Sequence, residues 1–136
     1  MKGMTKISDA EWLVCKVLWS DSPLTANEII SRLADSTDWN PSTVKTLLAR
    51  LTRKGVLDYS ILGRVNHYFP KLSEGECVEA HTRSFMDRVF NGAVGAMAAA
   101  FIRNHNLTNE EIAELKAILD QKNTDTQTRA ATRAKA

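Results

Sequence analysis

The side chains with chemistry to offer are concentrated in one stretch, Asp38 to Lys54, DWNPSTVKTLLARLTRK. It carries Ser42, Thr43, Lys45, Thr46, Arg50, Arg53 and Lys54, and no acidic residue stands between Asp38 and Asp58. Hydroxyls exchange hydrogen bonds with base edges, while ammonium and guanidinium groups neutralise phosphates or read guanine. The spacing gathers these groups on one surface. Asn40 is a good helix cap, and Pro41 falls at the first helical position, where its missing N–H costs nothing. Val44, Leu47, Leu48 and Leu51 then recur at the period of one buried helical face. A short helix with one apolar side and one side of hydroxyls and cations fits a DNA groove. Most isolated cationic helix faces are merely solvated, so the rest of the chain has to decide.

Other chemistry-bearing residues form weaker constellations. His67, His81 and His105 fall in different predicted elements, and none belongs to a nucleophile or metal-hydrolase motif. There is no phosphate loop or nucleotide fingerprint, so the sequence predicts no enzyme and no cofactor. Cys15 and Cys77 are too few and too far apart for a disulfide framework, and read as packed thiols of a reducing compartment. Cys77 and His81 are one helical turn apart and are weak metal-ligand candidates. Two ligands per chain make a four-ligand site only where symmetry joins two pairs. A packed thiol beside a surface histidine is the simpler reading.

The elements that must position the basic stretch follow from caps and periodicity. At 136 residues the chain suits one small domain with an oligomerisation arm. Residues 1–7 read as a frayed arm. Ser8 with Glu11 and Thr25 with Glu28 are capping boxes, each opening a short helix. The first helix has a wide apolar face, Leu13, Val14, Val17 and Leu18 with Trp12 and Trp19, and should be the centre of a small core. Trp39 before the Asn40 cap and Val44 beyond it pair as a hydrophobic staple. Gly55 ends the third helix. Two β-prone runs, 56–61 and 66–70, then flank Leu62-Gly63-Arg64-Val65, predicting a hairpin with Gly63 in its turn. Three short helices followed by a hairpin describe a winged helix-turn-helix over residues 1–72. Arg64 at the hairpin tip either reaches a phosphate or the minor groove, or is a solvated loop residue.

Ser73 with Glu76 opens a predicted long helix from Glu74 to Asn104, along which Met86, Phe90, Val94, Met97 and Phe101 form a coiled-coil-like seam. Thr108 with Glu111 opens a last helix striped by Ile112, Leu115, Ile118 and Leu119 and ending near Lys122. Two helices cannot bury both stripes in a module of about fifty residues, so residues 73–122 are expected to form a homodimerisation domain. Residues 123–136 lack large apolar side chains and are expected to be disordered. The fold class is therefore mainly α, a winged helix-turn-helix followed by a two-helix dimerisation module. Charge follows this division. Residues 1–72 hold ten Lys/Arg against seven Asp/Glu, 73–122 hold five against eight, and 123–136 hold three against one. A basic head on an acidic module suits a nucleic-acid-binding domain joined to a separate one. The N-terminal residues form no hydrophobic signal core, and the most apolar window, 89–102, is too short to span a bilayer. A cytoplasmic location without membrane association is expected.

ISDAEWLVCKVLW, DWNPSTVKTLLARLTRKG and LTNEEIAELKAIL resemble the penicillinase and methicillin-resistance repressors and their copper-responsive relatives, the BlaI/MecI/CopY family. The resemblance runs from about Ile7 to Lys122. It implies a homodimeric winged-helix repressor whose partner is double-stranded operator DNA, at dyads of TACA and TGTA half-sites. Carried over by position, Ser42, Thr43, Lys45 and Thr46 face the groove, while Arg50, Arg53 and Arg64 contact backbone. Lys54 joins the cations as a phosphate neutraliser or guanine reader. Thr43 and Thr46 lie three apart on one face, and their methyls and hydroxyls suit a thymine methyl or a base-edge acceptor. In the β-lactam branch a sensor-linked protease cuts an Asn-Phe bond, matched here by Ala100-Phe101, where the asparagine is not kept. In the copper branch closely spaced tail cysteines bind a soft metal, and this tail has none. The alternative to a repressor is a winged helix used only for protein–protein contact. The lysine-bearing, acid-free face argues against it, because such interfaces are depleted of lysine.

Overall fold

The computed structural model describes residues 6–135, with side chains to residue 129. The order is α1 (Asp9–Ser20), β1 (Leu24–Thr25), α2 (Ala26–Leu33), α3 (Pro41–Arg53), β2 (Leu57–Leu62), β3 (Val65–Pro70), α4 (Glu74–Phe90), α5 (Val94–Arg103) and α6 (Asn109–Lys135). Two compact units divide between Val89 and Phe90.

The first unit is a winged helix. Each of its helices starts where its cap chemistry dictates. The Ser8 hydroxyl accepts from the Glu11 N–H while Glu11 accepts from the Ser8 N–H, and Thr25 with Glu28 and Ser73 with Glu76 repeat the exchange. Such reciprocal caps satisfy two of the donors that a helix start leaves orphaned. The Glu28 carboxyl sits below its ordinary range, chiefly because the Thr25 backbone N–H donates to the charged form. In α3, Val44, Leu47, Leu48 and Leu51 are buried as their spacing predicts. They meet Val14, Cys15 and Leu18 of α1 and Ile29 and Leu33 of α2 in one core, with Trp39 packed against it.

The sheet has three strands in the order β1-β3-β2, where a two-stranded hairpin is expected. The added strand is two residues long, with Leu24 opposite Tyr68 and Thr25 opposite His67. It is too short to show a period, and half of it doubles as the cap of α2. In the hairpin, Leu62 pairs with Val65, so the loop is Gly63-Arg64 alone. Both residues have positive φ, 57° and 70°. That is the primed two-residue turn whose twist matches the strands it joins.

Four expectations are corrected. Lys6 and Ile7 are not frayed: Ile7 is buried, and its N–H donates to Nε2 of His81 at 3.1 Å. The remainder of that arm, residues 1–5, lies outside the described residues. The boundary at residues 72 and 73 moves, because Cys77 of α4 is fully buried in the winged-helix core. The single helix expected from Glu74 to Asn104 is broken. Asn91 and Gly92 take positive φ, 50° and 80°, the left-handed conformation that ends a helix. Finally, α6 continues past Lys122 to Lys135. Alanine, arginine, glutamine and lysine are good helix formers, and a started helix extends through them.

The second unit holds α5 and α6. Neither has a buried residue among those described, and Val94, Phe101 and Leu119 are 55%, 59% and 64% exposed. No single helix among the described residues is long and apolar enough to cross a membrane.

Candidate nucleic-acid interface

The outer face of α3 presents Ser42, Lys45, Thr46, Arg50 and Arg53, all exposed, with Thr43 half-buried at its edge. Arg64 is exposed at the wing tip. Among the described residues, none of Lys45, Arg50, Arg53 and Arg64 is paired with a carboxylate. These cations are therefore available to phosphates without first breaking an ion pair. The helix start is locked. Oδ1 of Asn40 accepts from the Thr43 backbone N–H at 3.0 Å, from the Ser42 hydroxyl at 2.6 Å and from the Thr43 hydroxyl at 3.1 Å. The Thr46 hydroxyl donates to the Ser42 carbonyl at 2.9 Å.

Lys54 does not belong with the free cations. Its ammonium donates to Oε1 of Glu11 at 2.6 Å and to the Lys6 carbonyl at 2.8 Å. Glu11 is 1% exposed and is the buried charge of the core, with Oε2 unpartnered. Burial alone pushes this carboxyl up. The hydrogen bonds from Lys54 and the Ser8 N–H, the Lys54 charge and the Ser8 hydroxyl outweigh it and hold the pKa below the ordinary value. Lys54 caps α3, so the pair ties the end of that helix to the start of α1. The capping box gave Glu11 a local task, but nothing in the sequence signals its link to a lysine 43 positions away.

Cys77 and His81 are brought into one region but not as open ligands. Nδ1 of His81 lies 2.9 Å from the Cys77 carbonyl, which only accepts, and Nε2 faces the Ile7 N–H, which only donates. The neutral ring with its proton on Nδ1 satisfies both, and its edge packs on Trp12. The Cys77 thiol is fully buried, and burial raises its pKa, with the Glu76 charge adding to the effect. Burial, followed by the charges of Cys77 and Glu11, pushes Cys15 up to about 12. Both are inert packed thiols. No group of three or more metal-binding side chains occurs among the described residues.

The seam residues fall on either side of the helix break. Met86 and Phe90 are half-buried on α4, Val94 and Phe101 are exposed on α5 with Met97 half-buried, and Ile112, Leu115 and Leu119 lie along α6. The Ala100–Phe101 bond lies inside α5. The Ala100 carbonyl accepts from the Asn104 side chain at 2.9 Å and the Phe101 carbonyl from His105 at 2.8 Å. The Phe101 and His105 rings stack at 4.1 Å.

Known proteins match this arrangement. The family profile described as "Penicillinase repressor" covers residues 7–121. The penicillinase repressor of Bacillus licheniformis is 40% identical over 121 residues, 89% of this chain and 94% of that one. The methicillin resistance regulatory protein MecI of Staphylococcus aureus (strain N315) is 31% identical over 117 residues, 86% of this chain and 95% of that one. The solution structure of the DNA binding domain of the repressor BlaI is 42% identical and covers 56% of this chain and 93% of its own, with a TM-score of 0.50. With a winged-helix fold and a family match over residues 7–121, the chain belongs to the penicillinase repressor family, whose named members are repressors and not enzymes.

Proposed function

We propose that this winged-helix repressor binds operator DNA as a homodimer in the cytoplasm, with α3 in the major groove and Arg64 on the backbone beside it. The observation that carries the reading is the exposed, acid-free face of α3, with its cations unpaired and its hydroxyls ordered. Ser42, Thr43, Lys45 and Thr46 are assigned to bases, and Arg50, Arg53 and Arg64 to phosphates. The dimer is supported by the second unit. Val94, Phe101, Ile112 and Leu119 expose apolar surface that one chain leaves in water, and a second copy is the economical cover. A two-fold dimer presents one recognition helix to each half of a dyad, which is the symmetry that TACA and TGTA half-sites offer.

Two release signals follow from the resemblance, β-lactam-triggered proteolysis and copper. β-Lactam-triggered proteolysis at Ala100–Phe101 requires the end of α5 to unwind, since this bond is helical and its carbonyls are hydrogen-bonded. Copper release through Cys77 and His81 requires both groups to leave their present partners. Fluorescence anisotropy with a TACA/TGTA duplex and a scrambled control tests the DNA reading. Specific binding with a salt slope of about −5 is expected for three phosphate contacts per subunit. Equal, weak binding to both duplexes refutes it.

A further inference from the structure

The hydroxyl protons of α3 are all committed inside the protein, which fixes what this face can read. The Thr43 backbone N–H can only donate, so the Asn40 atom 3.0 Å from it is the carboxamide oxygen, and the orientation of that amide is settled. The same oxygen lies 2.6 Å from the Ser42 hydroxyl and 3.1 Å from the Thr43 hydroxyl. A carboxamide oxygen only accepts, so both hydroxyls donate to it. The Thr46 hydroxyl likewise spends its proton on the Ser42 carbonyl. Each hydroxyl has one proton and two lone pairs. Toward the outside, Ser42, Thr43 and Thr46 therefore offer lone pairs and, for the threonines, a methyl.

On the DNA-binding reading above, we infer that Ser42, Thr43 and Thr46 form an acceptor-only face that selects the exocyclic amines of adenine and cytosine, with Asn40 as the positioning residue that holds it in that state. In the major groove adenine N6 and cytosine N4 are the base donors, whereas guanine O6 and N7, adenine N7 and thymine O4 only accept. An acceptor-only hydroxyl facing a keto oxygen sets lone pair against lone pair. This reverses the expectation that the hydroxyls meet a base-edge acceptor. The cation beside them, Lys45, is the group suited to acceptor edges.

The test uses the full chain and a duplex carrying the TACA/TGTA dyad, at one salt concentration. In one series half-site adenines are replaced by purine and cytosines by 2-pyrimidinone, which removes the amines. In a second, adenine is replaced by 7-deazaadenine, which keeps the amine and removes N7. Removing the amine under the hydroxyl face is expected to weaken binding about tenfold, and removing N7 to leave it unchanged. Thr43→Val or Thr46→Val, whichever reads that position, should show no further loss on the amine-free duplex. Asn40→Gly, which keeps most of the capping contribution, should free the hydroxyl protons and reduce the discrimination between amine and keto bases. The inference is overturned if amine removal costs nothing, if the valine variants lose the same factor as the parent, or if Asn40→Gly discriminates as the parent does. If even the unmodified dyad is bound no better than scrambled DNA, the DNA reading itself falls, and this inference with it.

Discussion

Lys54→Met separates the structural cation from the DNA-binding ones. In the parent, Lys54 sits 2.6 Å from a Glu11 carboxylate whose side chain is 2% exposed, while the lysine side chain is 27% exposed. Removing the cation leaves a buried carboxylate holding one backbone N–H, with its second oxygen already unpartnered. Breaking a buried pair typically costs about 3–5 kcal/mol, and because water reaches the lysine end we expect about 3 kcal/mol. The loss should depend on pH. The parent's Glu11 pKa is depressed below its ordinary value of 4.5, so its contribution is present above that value and disappears as pH falls through the folded pKa. In the variant only the Ser8 hydrogen bonds still oppose burial, so Glu11 takes a proton more readily than in the parent. The stability gap between parent and variant is therefore widest at neutral pH and narrows on acidification. Urea denaturation at neutral and at acid pH measures it. The salt slope of DNA binding, measured on the folded variant, should be unchanged, because the Lys54 ammonium is already taken by Glu11. Unaltered stability at neutral pH, with a slope smaller by about two per dimer, would refute the structural assignment.

Arg53→Ala should weaken specific and scrambled DNA alike and lower the salt slope by about 0.9 per subunit in an anisotropy titration. Thr43→Ala should instead cost about 1–3 kcal/mol on the cognate duplex and little on the scrambled one. Charging the exposed seam, as in Leu119→Glu or Phe101→Glu, should shift sedimentation toward monomer while the winged-helix unit keeps its fold. Cys15 and Cys77, buried and with raised pKa values, should stay unreactive toward a thiol reagent in the native protein and react once it is unfolded.

The local structure was legible in the sequence because local chemistry decides it. Four capping boxes, at Ser8, Thr25, Ser73 and Thr108, appear as read, since a hydroxyl and a carboxylate three residues apart need no distant partner. The buried stripe of α3 and the Gly63 turn were readable for the same reason, and so was the cluster of hydroxyls and cations opposite that stripe. The break at Asn91-Gly92 is carried by residues of helix-ending type, but the apolar seam running through them masks it. The stripe is a weaker constraint on backbone direction than two consecutive positive φ angles.

Tertiary structure alone decided which cations remain free. Lys54 and Arg53 are neighbours in a basic run and look alike in sequence. Packing α1 against α3 gives one of them a buried carboxylate and leaves the other in solvent. It also turned His81 inward to hold Ile7, and placed Cys77 in the core of a unit that the sequence ended five residues earlier. The sequence by itself determined the helix caps, the turn and the composition of the recognition face, because these rest on contacts within a few residues. The partners of Glu11, Lys54, His81 and Cys77 depend on contacts between elements distant in the chain, which no local pattern encodes.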